Sequence, residues 1–201
     1  MGFCIKDISK HWLFLLVILT FSFSLKAQVY WCDQGSGLWS DVSNWSSTPP
    51  PGCTPNGSLP GAADDVIFTG NSGNCNIDIA VNVASITLEA SYTGTVTQGA
   101  FPIGNIDPPI FTMNGGNFTG SNQPIDFGTF IMTGGVFTST SDTMSIQGGA
   151  ANPDFSQTGG TFNHNNGAVL FIDNPGNDDF EFEVIDDFWN LLFRTTGFPS
   201  I

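Results

Sequence analysis

Paired carboxylates are the residues of this sequence best suited to chemistry. Three adjacent pairs occur, Asp64-Asp65, Asp178-Asp179 and Asp186-Asp187. Glycoside hydrolysis needs two such groups across a cleft, one as acid and one as base or nucleophile. Adjacent residues on a strand point to opposite faces, however, so none of these pairs is by itself a catalytic couple. The run Asp173-Asn-Pro-Gly-Asn-Asp-Asp179, followed by Glu181 and Glu183, is rich in hard oxygen donors and turn formers. Such donors suit Ca2+, with Asp173, Asp178 and Asp179 as its candidate ligands. The run matches neither the helix–loop–helix calcium pattern nor the nonapeptide calcium repeat, so the expectation is no cofactor, with Ca2+ as the alternative. His164 sits in the turn-like Phe162-Asn-His-Asn-Asn-Gly167 with no second histidine nearby and no serine in a nucleophile elbow. A zinc site or a catalytic triad is therefore not expected, and neither is an enzyme.

Aromatic and sulfur chemistry concentrates in residues 28–61. Trp31, Trp39 and Trp45 stand among Gly, Pro and Ser turn formers there. They read either as a cap covering the end of a hydrophobic stack or as a platform on which sugars stack. The cap is the expected reading, because a stacked fold must cover its ends and need not bind sugar. Cys32, Cys53 and Cys75 follow the leader, and their odd number leaves one unpaired. Cys53 with Cys75 is the expected disulfide, since both flank the first clear strand. Cys32 with Cys53, across the Trp-rich entry, is its rival, and a free buried Cys75 is the third reading.

Residues 1–27 read as a secretory signal. Lys6 and Lys10 precede the apolar run Trp12–Phe23, and Ala27 offers a small residue for cleavage before Gln28. The apolar run is shorter than the roughly 20 residues that span a bilayer, so no membrane span is expected once the signal is removed. The 201 residues carry a net charge of −14 with only 11% charged residues. Beyond residue 27, Arg194 is the only Lys or Arg. A nucleic-acid binder displaces counterions from phosphate with many cations, so that class is excluded. Acidic polymers and anionic lipid are repelled as well.

The elements that would position these groups follow from periodicity. Cys75, Ile77, Ile79, Val81 and Val83 alternate with Asn76, Asp78, Ala80 and Asn82, the pattern of a half-buried strand. Ile86 and Leu88 continue it, as do Phe180, Phe182 and Val184, then Trp189, Leu191 and Phe193. No stretch beyond the leader repeats apolar residues at helical spacing, so the chain is all-β. A Phe-x3-Gly-Gly-x-Phe unit occurs three times, at Phe111–Phe118, Phe130–Phe137 and Phe155–Phe162. Each copy is followed by a further short strand at 125–127, 144–146 and 169–172. A repeat of this length made of strands and Gly corners is one coil of a solenoid, which buries its face only by stacking. Phe111, Phe130 and Phe155 then form one aromatic ladder, and Phe118, Phe137 and Phe162 a second. The longer third interval predicts a loop around 148–153.

The entry W-x7-W-S-D-x-x-N-W (Trp31, Trp39 to Asp41, Asn44, Trp45) and the following P-G-x-x-D-D-V-I-F segment (Pro60–Phe68) carry a resemblance. So do Tyr92–Gln98 and the T-G-G-T-F step that runs from Thr158 to Phe171. Together they resemble the opening of large bacterial secreted and cell-surface β-helix proteins, adhesin-like and autotransporter-passenger-like. The resemblance implies a secreted or cell-surface location and supplies no catalytic residues. Such proteins run for many hundreds of residues to a C-terminal anchoring domain, so a chain ending at Ile201 is expected to be a fragment or a short relative. The expectation is thus a signal peptide (1–27), a Trp/Pro/Gly-rich cap (28–61) and a right-handed parallel β-helix of five or six coils (62–201). Its expected role is that of a non-catalytic, adhesin-like structural module. A carbohydrate-binding module and a polysaccharide-degrading enzyme are the alternatives, with polysaccharide or a cell-surface ligand as partner.

Overall fold

A computed structural model describes residues 26–104, 109–148, 153–172 and 182–194. The strands run in chain order as β1 (Gln28–Trp31), β2 (Trp45–Ser46), β3 (Asp65–Phe68), β4 (Cys75–Ile77) and β5 (Ser85–Leu88). There follow β6 (Thr95–Gln98), β7 (Ile110–Met113), β8 (Asn117–Thr119), β9 (Ile125–Phe127) and β10 (Thr129–Thr138). The last are β11 (Thr143–Ile146), β12 (Phe155–Asn163), β13 (Ala168–Ile172), β14 (Phe182–Glu183) and β15 (Asn190–Arg194). A single 3-10 turn, Val42–Asn44, is the only helical element among the described residues.

These strands wind into a parallel β-solenoid of about five turns, as the repeats predict. Each turn has three sides. Side one stacks β1, β3, β5, β7, the first half of β10, the first part of β12, and β14. Side two stacks β4, β6, β8, the second half of β10 and the end of β12. Side three begins with single bridges at Val81, Ile103 and Ile125, then continues through β9, β11, β13 and β15. The first rung is already β1, so residues 28–31 belong to the stack and the cap is an excursion from it.

The period-two pattern sends alternate side chains inward, and parallel register places like on like. Phe111, Phe130 and Phe155 are aligned partners, with rings stacked at 5.7 and 4.7 Å. Phe118, Phe137 and Phe162 form the second ladder at 4.7 and 5.6 Å, each pair within 8° of parallel. The two ladders meet edge to face, as Phe130 and Phe137 do at 4.9 Å. All six rings are buried. The corner between sides one and two is the Gly-Gly pair. Gly135 has φ +83°, and a Cβ there would lie 2.6 Å from the Gly116 carbonyl of the turn below, so only glycine fits.

The corners between sides two and three use side chains instead. Gln98 is buried, and its Nε2 donates to the carbonyls of Phe101, Gln123 and Pro124 while its Oε1 accepts from Ser121 N. One amide thereby satisfies backbone groups that the bend takes out of the ladder. At the end of side one in β12, by contrast, buried Gln157 donates to Asp186 Oδ2 next to the Gly-Gly corner, and Asp186 Oδ2 also accepts from Phe162 N.

The cap departs from expectation in its sulfur chemistry. Cys32 is bonded to Cys53, and Cys75 is free. The pairing of Cys53 with Cys75 fails because Cys75 is an inward residue of β4 within the core, whereas Cys53 lies on the loop outside it. Phe182, Leu191 and Phe193 continue the expected alternation but are exposed, as no described turn covers them. Phe180, the candidate calcium ligands Asp173, Asp178 and Asp179, most of the 148–153 loop and residues 1–25 of the leader lie outside the described residues.

Candidate ligand-binding surfaces

The three cap tryptophans, Trp31, Trp39 and Trp45, are core, which removes the sugar platform proposed for them. Trp31 and Trp45 are 0% exposed and Trp39 is 2% exposed. Trp45 packs edge-on against Trp31 at 5.0 Å and Trp39 at 4.5 Å, and its Nε1 donates to the Trp39 carbonyl at 2.8 Å. Trp31 in turn meets Phe68 of the next turn at 6.0 Å. The polar letters of the W-S-D-x-x-N-W motif hold this cluster in place. Ser40 donates from both N and Oγ to the Asp78 carboxylate, and Asp41 caps the 3-10 turn through Ser43 N. Buried Asn44 donates to Ser36 Oγ and the Leu38 carbonyl, and accepts from Gln34 N. Hydrogen bonds from Ser43 and Ser36 hold the Asp41 carboxyl below its ordinary range. At Asp78, burial opposes ionisation, but the two bonds from Ser40 outweigh it and the carboxyl again lies low.

Among the described carboxylate pairs, the hydrogen bonds run to neighbouring turns and strands. Asp64 Oδ2 accepts from Gly61 N, while Asp65 Oδ1 accepts from Ser85 Oγ at 2.6 Å. Asp186 is tied to Gln157, and its neighbour Asp187 is exposed. Asp178-Asp179 lies outside the described residues. Neither described pair faces across a cleft, and no group of three or more His, Cys, Asp or Glu converges as a metal site among the described residues. His164 Nδ1 accepts from Asn166 N inside its own turn, and the ring stacks on Trp189 at 5.5 Å. Cys75 is inert, because burial first, then the charges of Asp78 and Asp33, push its thiol well above the ordinary value.

Two outward features have the geometry to take a ligand. One is an open groove of about 510 Å³ where the cap loop leans on side one, lined by Tyr30, Pro49, Thr69, Asn71, Glu89 and Ser91 among others. The Tyr30 hydroxyl donates to Gln28 Oε1 at 3.1 Å, which fixes one end of the ring. Ser91 Oγ donates to Glu89 Oε2 at 3.4 Å and accepts from Gly70 N at 3.0 Å. An aromatic wall beside one carboxylate, an amide and hydroxyls is a set that neutral polyols can bond.

The other feature is the outer surface of side two. Register aligns Asn76, Thr97, Thr119, Thr138 and Asn163 as one column. A second column beside it holds Thr95, Asn117, Val136 and Thr161. No charged residue stands in either column. Acids do occupy the outward positions of the other sides, Asp65 on one and Asp126 on three. Burial raises the Asp126 carboxyl, opposed by a hydrogen bond from Ser145 and the charge of Arg194. The columns were missed in the sequence because their members come from five turns. Their signal is the residue flanking each repeat phenylalanine, visible only once the copies are aligned.

Comparison with protein-family models, with curated proteins and with solved structures finds no match to this chain.

Proposed function

We propose that this chain is a non-catalytic, exported structural module of the bacterial cell surface, adhesin-like, in which the solenoid is a rigid spacer that presents its outer faces. The observation that supports this most is the continuous apolar core buried through the stack, with neither described carboxylate pair facing across a cleft. The Cys32–Cys53 bond fits an oxidising compartment, where disulfides persist. No described helix is long and apolar enough to cross a membrane. The test is surface labelling of intact producing cells with an antibody to residues 26–194, together with cell attachment before and after deletion. Labelling and lost attachment are expected. An intracellular pool with no surface signal, or reducing ends released from polysaccharide by the purified chain, would defeat the reading.

The groove beside Tyr30 favours a second reading, a neutral-glycan module. Calorimetric titration with neutral oligosaccharides should then give saturable binding whose affinity Tyr30→Ala lowers roughly tenfold, the loss of one stacking contact. Equal affinities for both proteins would discard it.

A further inference from the structure

We propose that the outer surface of side two binds ice: its two columns of hydroxyl, amide and methyl groups hold an ordered sheet of water that merges with the crystal lattice. The surface is neutral on a chain of net charge −14, so the partner it complements is uncharged. It is also periodic in two directions. Successive turns repeat every ~4.8 Å, and the two columns are separated by two residues of strand, about 6.7 Å. Both spacings lie close to oxygen repeats on faces of hexagonal ice. Asn76 to Asn163 spans five ranks, or roughly 19 Å of matched length at that repeat.

The same chemistry argues against a dissolved glycan at this surface. A hydroxyl that gives up water for a sugar hydroxyl exchanges one hydrogen bond for another, with little net gain. Sugar sites recover the difference by stacking on aromatic rings, and neither column contains one. Ice asks for no such exchange, because the water bound to the threonines is itself the ligand. What it requires is rigidity. Threonine is stiff at χ1, and the ranks are backed by buried side chains: Val96 behind Thr95 and Thr97, then the stacked rings of Phe118 behind Asn117 and Thr119 and of Phe137 behind Val136 and Thr138. The register shifts between β10 and β12 fall at the Gly-Gly corner, between Met132 and Val136, and leave the columns aligned.

The test is partition of the purified chain into a slowly growing ice front. Enrichment in the ice is expected. Thr119→Tyr, at an exposed position in the middle of the surface, should reduce it roughly tenfold by lifting neighbouring ranks off the lattice. Thr112→Tyr, outward on side one, should leave it unchanged. Exclusion of the wild-type chain from ice overturns the proposal whatever the variants do. Equal enrichment of wild type and Thr119→Tyr also overturns it, by assigning binding to another surface. Retention on crystalline cellulose that Thr119→Tyr abolishes, with no ice enrichment, overturns it in favour of neutral polysaccharide. If Thr119→Tyr does not fold, Thr97→Glu, which places a charge in the same column, carries the same expectations. The solenoid module proposed above stands or falls separately.

Discussion

Replacing Phe137 with alanine empties the centre of the second ladder. The side chain is fully buried, and its ring lies 4.7 Å from Phe118, 5.6 Å from Phe162, 4.9 Å from Phe130 and 5.5 Å from Phe111. Truncating a buried phenylalanine costs about 3–5 kcal/mol in transfer and cavity terms. The stacked partners on both sides add to that, so the expected loss is near the upper end, about 5 kcal/mol. Because each turn touches only its neighbours, the loss falls on the two interfaces that join the first turns to the last. A domain holds only about 5–15 kcal/mol in total, so the variant should lie close to unfolding. The assay is equilibrium urea unfolding followed by fluorescence of the buried cap tryptophans. Phe101→Ala is the control, since Phe101 is exposed and should change stability by less than about 0.5 kcal/mol. A cost below about 1 kcal/mol for Phe137→Ala, or one equal to that of Phe101→Ala, would refute the ladder as the source of stability.

Four further outcomes follow from named contacts. Cys53→Ser opens a loop with a sequence separation of 21 and should destabilise by about 3 kcal/mol, read as a shift of the urea midpoint. Alkylation should leave Cys75 unlabelled in the native protein and label it after unfolding without reductant; labelling of Cys32 or Cys53 at that step would contradict the pairing. Gln98→Ala strands one donor and several acceptors at a buried corner, and should cost roughly 2–3 kcal/mol in the same assay. Asp126 titrates high in the fold, so its protonated form is the one folding favours. Stability from this group is therefore full below the ordinary carboxylate range and is lost as pH rises through its raised value. Asp126→Asn should accordingly raise thermal stability at neutral pH and have no such effect in acid, as measured by thermal melts at both; an equal effect at the two pH values would contradict the assignment.

Much of the stack was legible in one dimension because its physics is local and repeated. The Phe-x3-Gly-Gly-x-Phe copies announced both ladders and the corner between them, and Gly116, Gly135 and Gly160 all take the left-handed conformation there. The all-β fold followed from alternation alone. The alternation already put Cys75 on the apolar face with Ile77, but the pairing was not legible, because nothing in the sequence shows that the loop carrying Cys53 folds back over Cys32, outside the core. The tryptophans could be read as cap or platform until burial decided between them. Asn44 and Gln98 stand in the sequence as letters of motifs, but their buried bonding roles were hidden, since a buried amide is recognised only by the backbone groups it meets. The columns of side two were likewise hidden, because adjacency across turns is set by register rather than by sequence distance.

The register itself bears on every surface and interior contact described above, and it can be tested by a single cross-link. Thr97 and Thr119 are aligned neighbours on successive turns, where the strand spacing of ~4.8 Å lies within the Cα range of a disulfide. The variant Thr97→Cys with Thr119→Cys should form that bond under mild oxidation, seen by mass after proteolysis. Thr97→Cys with Thr138→Cys, two turns apart, should not. A bond in the second variant and none in the first would contradict the solenoid register on which this account depends.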